Sequence, residues 1–160
     1  MNTNSMVNCL VGGALAVALL LSPLQLAAEE ADQKAPASSS VVIPATAGPG
    51  NPVKIGLVTA GQKVTLSIGH VFWKGGGSKA GASADWHGYR NRLEKNALPW
   101  MALVAAVGKK NFLPDNKEFT FTVPADGVLV LYANDSNPNG NSGKGEVVVK
   151  IDSANSTLPK

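Results

Sequence analysis

The chain of 160 residues has one cysteine, two histidines and few charges. Each shortage excludes something. A single cysteine cannot build a disulfide scaffold or a Cys-rich zinc site. Two histidines leave little for a His-based metal centre or a proton relay. Charged residues make up 16%, well below the usual ~25%. The net charge of +3 is compatible with an acidic partner without requiring one. Long helical patterns are missing too. Residues 85–97 form the only helix candidate, and Gly88 weakens it. In their place stand 17 glycines and 10 prolines, which read as frequent turns.

Residues 11–21 read VGGALAVALLL, an uncharged apolar run broken by Ser22-Pro23. Small residues Leu26-Ala27-Ala28 then precede Glu29-Glu30. That order is the layout of a secretory signal, with cleavage expected after about Ala28. The stretch before the run carries no Lys or Arg. The run is short for a bilayer span, which needs about 20 residues, so no integral span is expected in the mature form. Cys9 precedes the apolar run, so it is not placed as a lipoprotein acceptor, and a cleaved chain has no cysteine. The expected location is therefore outside the cytoplasm, periplasmic or secreted.

Residues 29–40 (EEADQKAPASSS) lack periodicity and read as a flexible linker. A domain is expected over residues 41–152, with residues 153–160 as a tail. Val53, Ile55 and Leu57 alternate with polar or small residues, as do Val64, Leu66 and Ile68. Residues 70–99 lose the alternation. Residues 102–107 are continuously apolar, as in a strand buried on both faces. Phe119, Phe121 and Val123 alternate, residues 128–132 are aliphatic and end in Tyr132, and Val147, Val149 and Ile151 close the series. About six or seven short strands with frequent turns predict an all-β sandwich or barrel.

Catalytic templates are absent. Gly143-Lys144 is followed by Gly145, so there is no P-loop. Ser142 lacks a nucleophile-elbow context, and there is no HExxH pair. The chain reads as a non-enzyme, and an exported protein rarely meets nucleic acid. Two features point to binding. Residues 134–145 (NDSNPNGNSGKG) concentrate one carboxylate, repeated Asn and Ser, and glycines. Hard cations such as calcium take six to eight oxygen ligands of these kinds. The same residues are also turn formers, so an ordinary long turn is the plain alternative. His70, Phe72, Trp73, Trp86, His87 and Tyr89 sit among glycines and the basic Lys74, Lys79, Arg90, Arg92 and Lys95. Aromatic rings suit the apolar faces of sugars, and they equally suit one end of a sandwich core. The basic residues form either a solvated face or a surface for acidic glycans.

Four stretches resemble the LecA (PA-IL) family of calcium-dependent galactose-binding lectins. They are residues 64–75 (VTLSIGHVFWKG), 102–108 (ALVAAVG), 127–135 (GVLVLYAND) and 145–151 (GEVVVKI). The likeness spans about residues 41–152 and implies a small, mainly antiparallel jelly-roll β-sandwich. It also implies calcium as cofactor and galactose-containing glycans or glycoconjugates as partners, with room for a homo-oligomer. By that resemblance Asp135 is the carboxylate ligand, and Trp73 and Asn139 supply backbone carbonyls. At the family's successive Asn pair the ungapped register gives Ser142 and Gly143. A one-residue shift brings Asn141 into the first of those positions. His87 falls near a sugar-contacting His of the family, so Trp86, His87, Asp135 and Asn139 form the expected sugar site. The family's usual Gly opening the central strand is Met101 here. A second reading keeps the fold but makes it a non-enzymatic surface or protein interaction module with a degenerate metal site.

Overall fold

A computed structural model describes residues 38–76 and 81–152. The leader of residues 1–28, most of the linker and the tail of residues 153–160 lie outside the described residues. The described residues are strands, turns and irregular segments, without a helix. The strands are β1 (Ser38–Pro44), β2 (Val53–Val58), β3 (Lys63–Lys74), β4 (Ser83–Ala84), β5 (Tyr89–Leu93) and β6 (Pro99–Trp100). They continue with β7 (Leu103–Val107), β8 (Lys110–Phe112), β9 (Glu118–Thr122), β10 (Gly127–Ala133) and β11 (Ser142–Ile151).

One large sheet runs β1-β11-β3-β4, with β9 also paired to β3; the other large sheet runs β2-β10-β7-β8, and β5 pairs with β6 as a separate two-stranded sheet. All pairings are antiparallel. Without the short β4, the sheets read β1-β11-β3-β9 and β2-β10-β7-β8, which is the jelly-roll order. The chain crosses between the sheets at almost every turn, as the apolar alternation requires. Each strand has one inward face, and two such faces can be buried only against each other. Ile43, Val64, Leu66, Trp73, Leu129, Leu131, Val147 and Val149 meet in the shared core. Strand β7 is buried along its whole length, as its unbroken apolar run predicts. Its outer residues Val104 and Ala106 pack with Tyr132 beneath Leu98 and Leu113.

Three departures from the sequence expectation have local causes. Strand β1 begins at Ser38, so the last residues of the expected linker are sheet; Ser38 to Ser40 pair with Lys150 to Val148. Serine alternating with serine shows no amphipathic contrast, so nothing in the sequence marked the pairing. Residues 85–97 form no helix; they carry β5 and the turn toward β6. Strand β3 continues to Lys74, although its sequence loses alternation after Ile68. The buried positions there are Val64, Leu66 and Ile68, then Val71 and Trp73, so the phase slips at Gly69-His70. In the register, Ile68 faces Val147 and Val71 faces Gly145, leaving two residues of β3 against Glu146 alone. That is a β-bulge, and it returns Val71 and Trp73 to the core.

The core predicts a graded response to truncation. Leu129 is fully buried on a central strand, whereas Val148 is 43% exposed. Leu129→Ala is expected to cost about 2–5 kcal/mol in denaturant unfolding. Val148→Thr, which keeps the β-branch, is expected to stay within about 0.5 kcal/mol.

Candidate functional site

Strand β10 runs straight into the polar loop. Asn134 is fully buried, and its backbone bridges to the entry of β7, donating to the Ala102 carbonyl while its own carbonyl accepts from Met101. Its side chain is a clamp on the hairpin turn before β6. The amide nitrogen donates to the carbonyls of Leu98 (3.0 Å) and Pro99 (2.9 Å). The amide oxygen accepts from Asn96 Nδ2 at 2.7 Å. A buried amide with its groups occupied this way is rigid, because losing one bond strands a desolvated partner.

Asp135 is also fully buried. Its Oδ1 accepts the backbone N–H of Asn137 at 2.9 Å, and its Oδ2 accepts from Asn141 Nδ2 at 3.0 Å. Asn141 is 6% exposed and is itself anchored on two sides. Its Oδ1 accepts the Gly76 N–H at 2.9 Å, and its Nδ2 donates to the Ala45 carbonyl at 3.3 Å. The loop therefore closes onto two other segments, around residues 45–48 and 75–76. The contact is tight on both sides. A Cβ on Gly48 would lie 2.7 Å from the Asp135 carbonyl oxygen, and one on Gly76 would lie 2.1 Å from the Gly140 carbonyl.

The structure brings together part of the set expected from sequence. Asp135 and Asn141 touch directly. Trp73 is one strand away: its main chain faces Gly143 across the sheet, and its fully buried indole donates to the Ile43 carbonyl at 3.4 Å. Asn139 is exposed on the loop rim. Ser142 is exposed at the first position of β11, opposite Lys74. Gly143 has φ +96, and a Cβ there would sit 2.2 Å from the Phe72 carbonyl oxygen, so no side chain fits.

Two shallow clefts border this end. One, of about 180 Å³, is lined by Pro49, Glu94, Lys95, Asn96, Asn134 and Ser136. Ser136 Oγ donates to Glu94 Oε2 across it at 2.6 Å. The other, of about 200 Å³, is lined by His87, Arg90, Pro99, Leu113, Pro114 and Asp115. The rings of Trp86 and His87 stack at 3.5 Å, with Trp86 buried and His87 partly exposed. Asp85 fixes His87 through the backbone N–H (2.9 Å) and Nδ1 (3.2 Å). His87 thus lines a different cleft from Ser136. Residues 94–96 line the first cleft and Pro99, whose carbonyl is held by Asn134, lines the second. Both fall below the ~300 Å³ typical of drug-sized pockets, so they suit a ligand held at a rim.

Sequence reasoning missed Gly76, Ala45, Asn96 and Glu94. Gly76 and Ala45 contribute backbone groups, and these carry no residue-type signal. Asn96 and Glu94 lie in the segment first read as a possible helix.

The resemblance implies calcium, and the donors present give a clear test of fit. Asn141 turns its nitrogen, not its oxygen, toward Asp135. The Gly143 position has no room for a ligand side chain. This donor set does not reproduce the cradle that the resemblance implies.

The chain matches no protein-family model and no curated protein. Among solved structures it is similar to one described as an EclA N-terminal domain, a PllA-like lectin. The identity is 23%, covering 71% of this chain and 95% of that one, with a TM-score of 0.50. At that identity the likeness shows a shared fold, in agreement with the β-sandwich described above.

The close approach at Gly76 is open to a direct check. Gly76→Ala places a methyl group against backbone, which cannot retreat cheaply, so a loss of about 1–3 kcal/mol is expected. Limited proteolysis should also accelerate within residues 134–142. Gly50→Ala, with nothing within 4 Å of the added carbon, should leave both readouts unchanged. In the turn between the two cleft linings, Ala97 is exposed and holds φ 61. Ala97→Gly is expected to raise stability by about 0.5–1 kcal/mol in denaturant unfolding, since a side chain is strained in the left-handed region.

Proposed function

We propose that the chain is an exported carbohydrate-binding protein, a lectin, that takes a galactose-type sugar at the rim of the 134–142 loop. One observation carries this reading. The exposed polar groups of Ser136, Asn137 and Asn139 stand on a floor of buried, hydrogen-bonded side chains, Asn134, Asp135 and Asn141. A sugar hydroxyl exchanges water for protein at small net gain, so a binding site for sugars must be ordered beforehand. The floor supplies that order. In the neighbouring cleft, the partly exposed His87 ring, stacked on the buried Trp86 and fixed by Asp85, offers an aromatic surface suited to the apolar face of a hexose.

The fold neighbour is described as a lectin, which supports the same class. The residues 11–28 support export to the periplasm or beyond. The action proposed is reversible binding of galactose-containing glycans without chemical change.

Calorimetric titration of the folded protein with methyl galactosides and with a panel of other monosaccharides tests the reading. Saturable heat with galactosides is expected, with Kd between about 1 μM and 1 mM. Ser136→Phe, which fills the cleft from an exposed position, should weaken binding at least about tenfold, or 1.4 kcal/mol. Its melting temperature should fall by no more than about 5 °C, the cost of the exposed Ser136–Glu94 bond. Folded protein that gives no heat with any galactoside would end the proposal.

A further inference from the structure

We propose that Asn141 takes the place of a cation beside Asp135, so that the 134–142 loop is ordered, and its ligand held, without metal. The stability half of this inference stands alone; the ligand half rests on the glycan-binding reading.

Which end of the Asn141 amide faces the Asp135 carboxylate sets the chemistry of the loop. The two ends have nearly the same shape, so their partners decide. On one side stands the Gly76 N–H, a donor that needs the amide oxygen. On the other stands the Ala45 carbonyl, an acceptor that needs the amide nitrogen. Both are main-chain groups and cannot exchange roles. Turning the amide over would set N–H against N–H and oxygen against oxygen. The nitrogen is therefore the atom 3.0 Å from Asp135 Oδ2. A calcium ligand needs the reverse, an oxygen turned toward the same point as the carboxylate.

The neighbouring positions agree. Gly143 holds φ +96 against the Phe72 carbonyl, which closes that position to any side-chain oxygen. Asp135 Oδ1 already receives the Asn137 N–H. Hydrogen bonds to a carboxylate are about twice as strong as neutral ones, and stronger still away from water. A carboxylate that is fully buried and held by N–H donors meets the need that a bound cation would otherwise meet.

The full chain is tested by thermal unfolding in about 5 mM calcium and in about 5 mM EDTA, with a calorimetric calcium titration alongside. The expected result is a melting temperature equal within about 1 °C in the two buffers, and no saturable calcium heat. Galactoside titrations should give the same Kd in both. Asn141→Asp sets a second carboxylate against Asp135. It should melt several degrees lower in EDTA and recover in calcium, because the pair then forms a cation site. Loss of stability in Asn141→Asp that calcium does not restore would count against the proposal, leaving Asn141 as a packing element only.

A wild-type melting temperature raised by about 3 °C or more in calcium would overturn the proposal outright. Should Asn141→Asp not fold in EDTA, the wild-type comparison decides. The two readings also fail differently. Galactoside binding only in calcium would refute metal independence and keep the lectin. No galactoside binding in either buffer, with equal melting temperatures, would refute the lectin and keep the metal-free loop.

Discussion

A carboxylate buried at the end of β10 has to be satisfied where it stands, and much of this end of the molecule is arranged around that need. Asp135 reaches no water, so its charge is tolerable only beside well-placed donors. One donor, the Asn137 N–H, comes from the loop itself. Another comes from Asn141, which is fixed by the backbone of residues 45 and 76. Three distant stretches of chain must therefore meet within hydrogen-bonding distance. Close approach then demands glycine at 48, 76 and 143, where an added carbon would collide with backbone.

The same need reaches into the sheets. For residues 75–76 to arrive at the loop, β3 must run on past Ile68 to Lys74 while keeping its inward residues in the core. The bulge at Gly69-His70 makes both possible by slipping the alternation once. Trp73 then enters the core, and Lys74 pairs with Ser142 at the mouth of the loop. On the other side, Asn134 ties the loop to the turn before β6, and that turn covers the outer face of β7. Met101, fully buried at φ 61, turns the chain between β6 and β7. A left-handed residue with a side chain costs about 1–2 kcal/mol. Burial of that side chain offsets the cost where a glycine would bury nothing.

Legibility followed contrast. Val64, Leu66 and Ile68, Phe119 to Val123, and Val147 to Ile151 alternate visibly, and all lie in strands or at a strand end. The unbroken run before Gly108 announced a strand covered on both faces, and β7 is one. Strand β1 went unread because Ser38 to Ser40 offer no contrast between faces. Strand β3 was read only to the bulge, since one extra residue inverts the pattern beyond it. In the site, composition drew attention to the 134–145 segment, and Asp135 with Asn141 proved to be joined. His87 was expected beside them but lines the neighbouring cleft, which a linear sequence has no means of showing.

By itself the sequence determined the architecture and the chemical character of one loop. A period of two, frequent Gly and Pro, and scarce charge admit few answers other than a β-sandwich, because half-apolar strands must pair face to face. Only the tertiary structure decided what the loop does with its polar groups. Whether an amide presents oxygen or nitrogen to a carboxylate depends on what stands behind it. Here that is the backbone of Gly76 and Ala45, far away in the chain and silent in residue type.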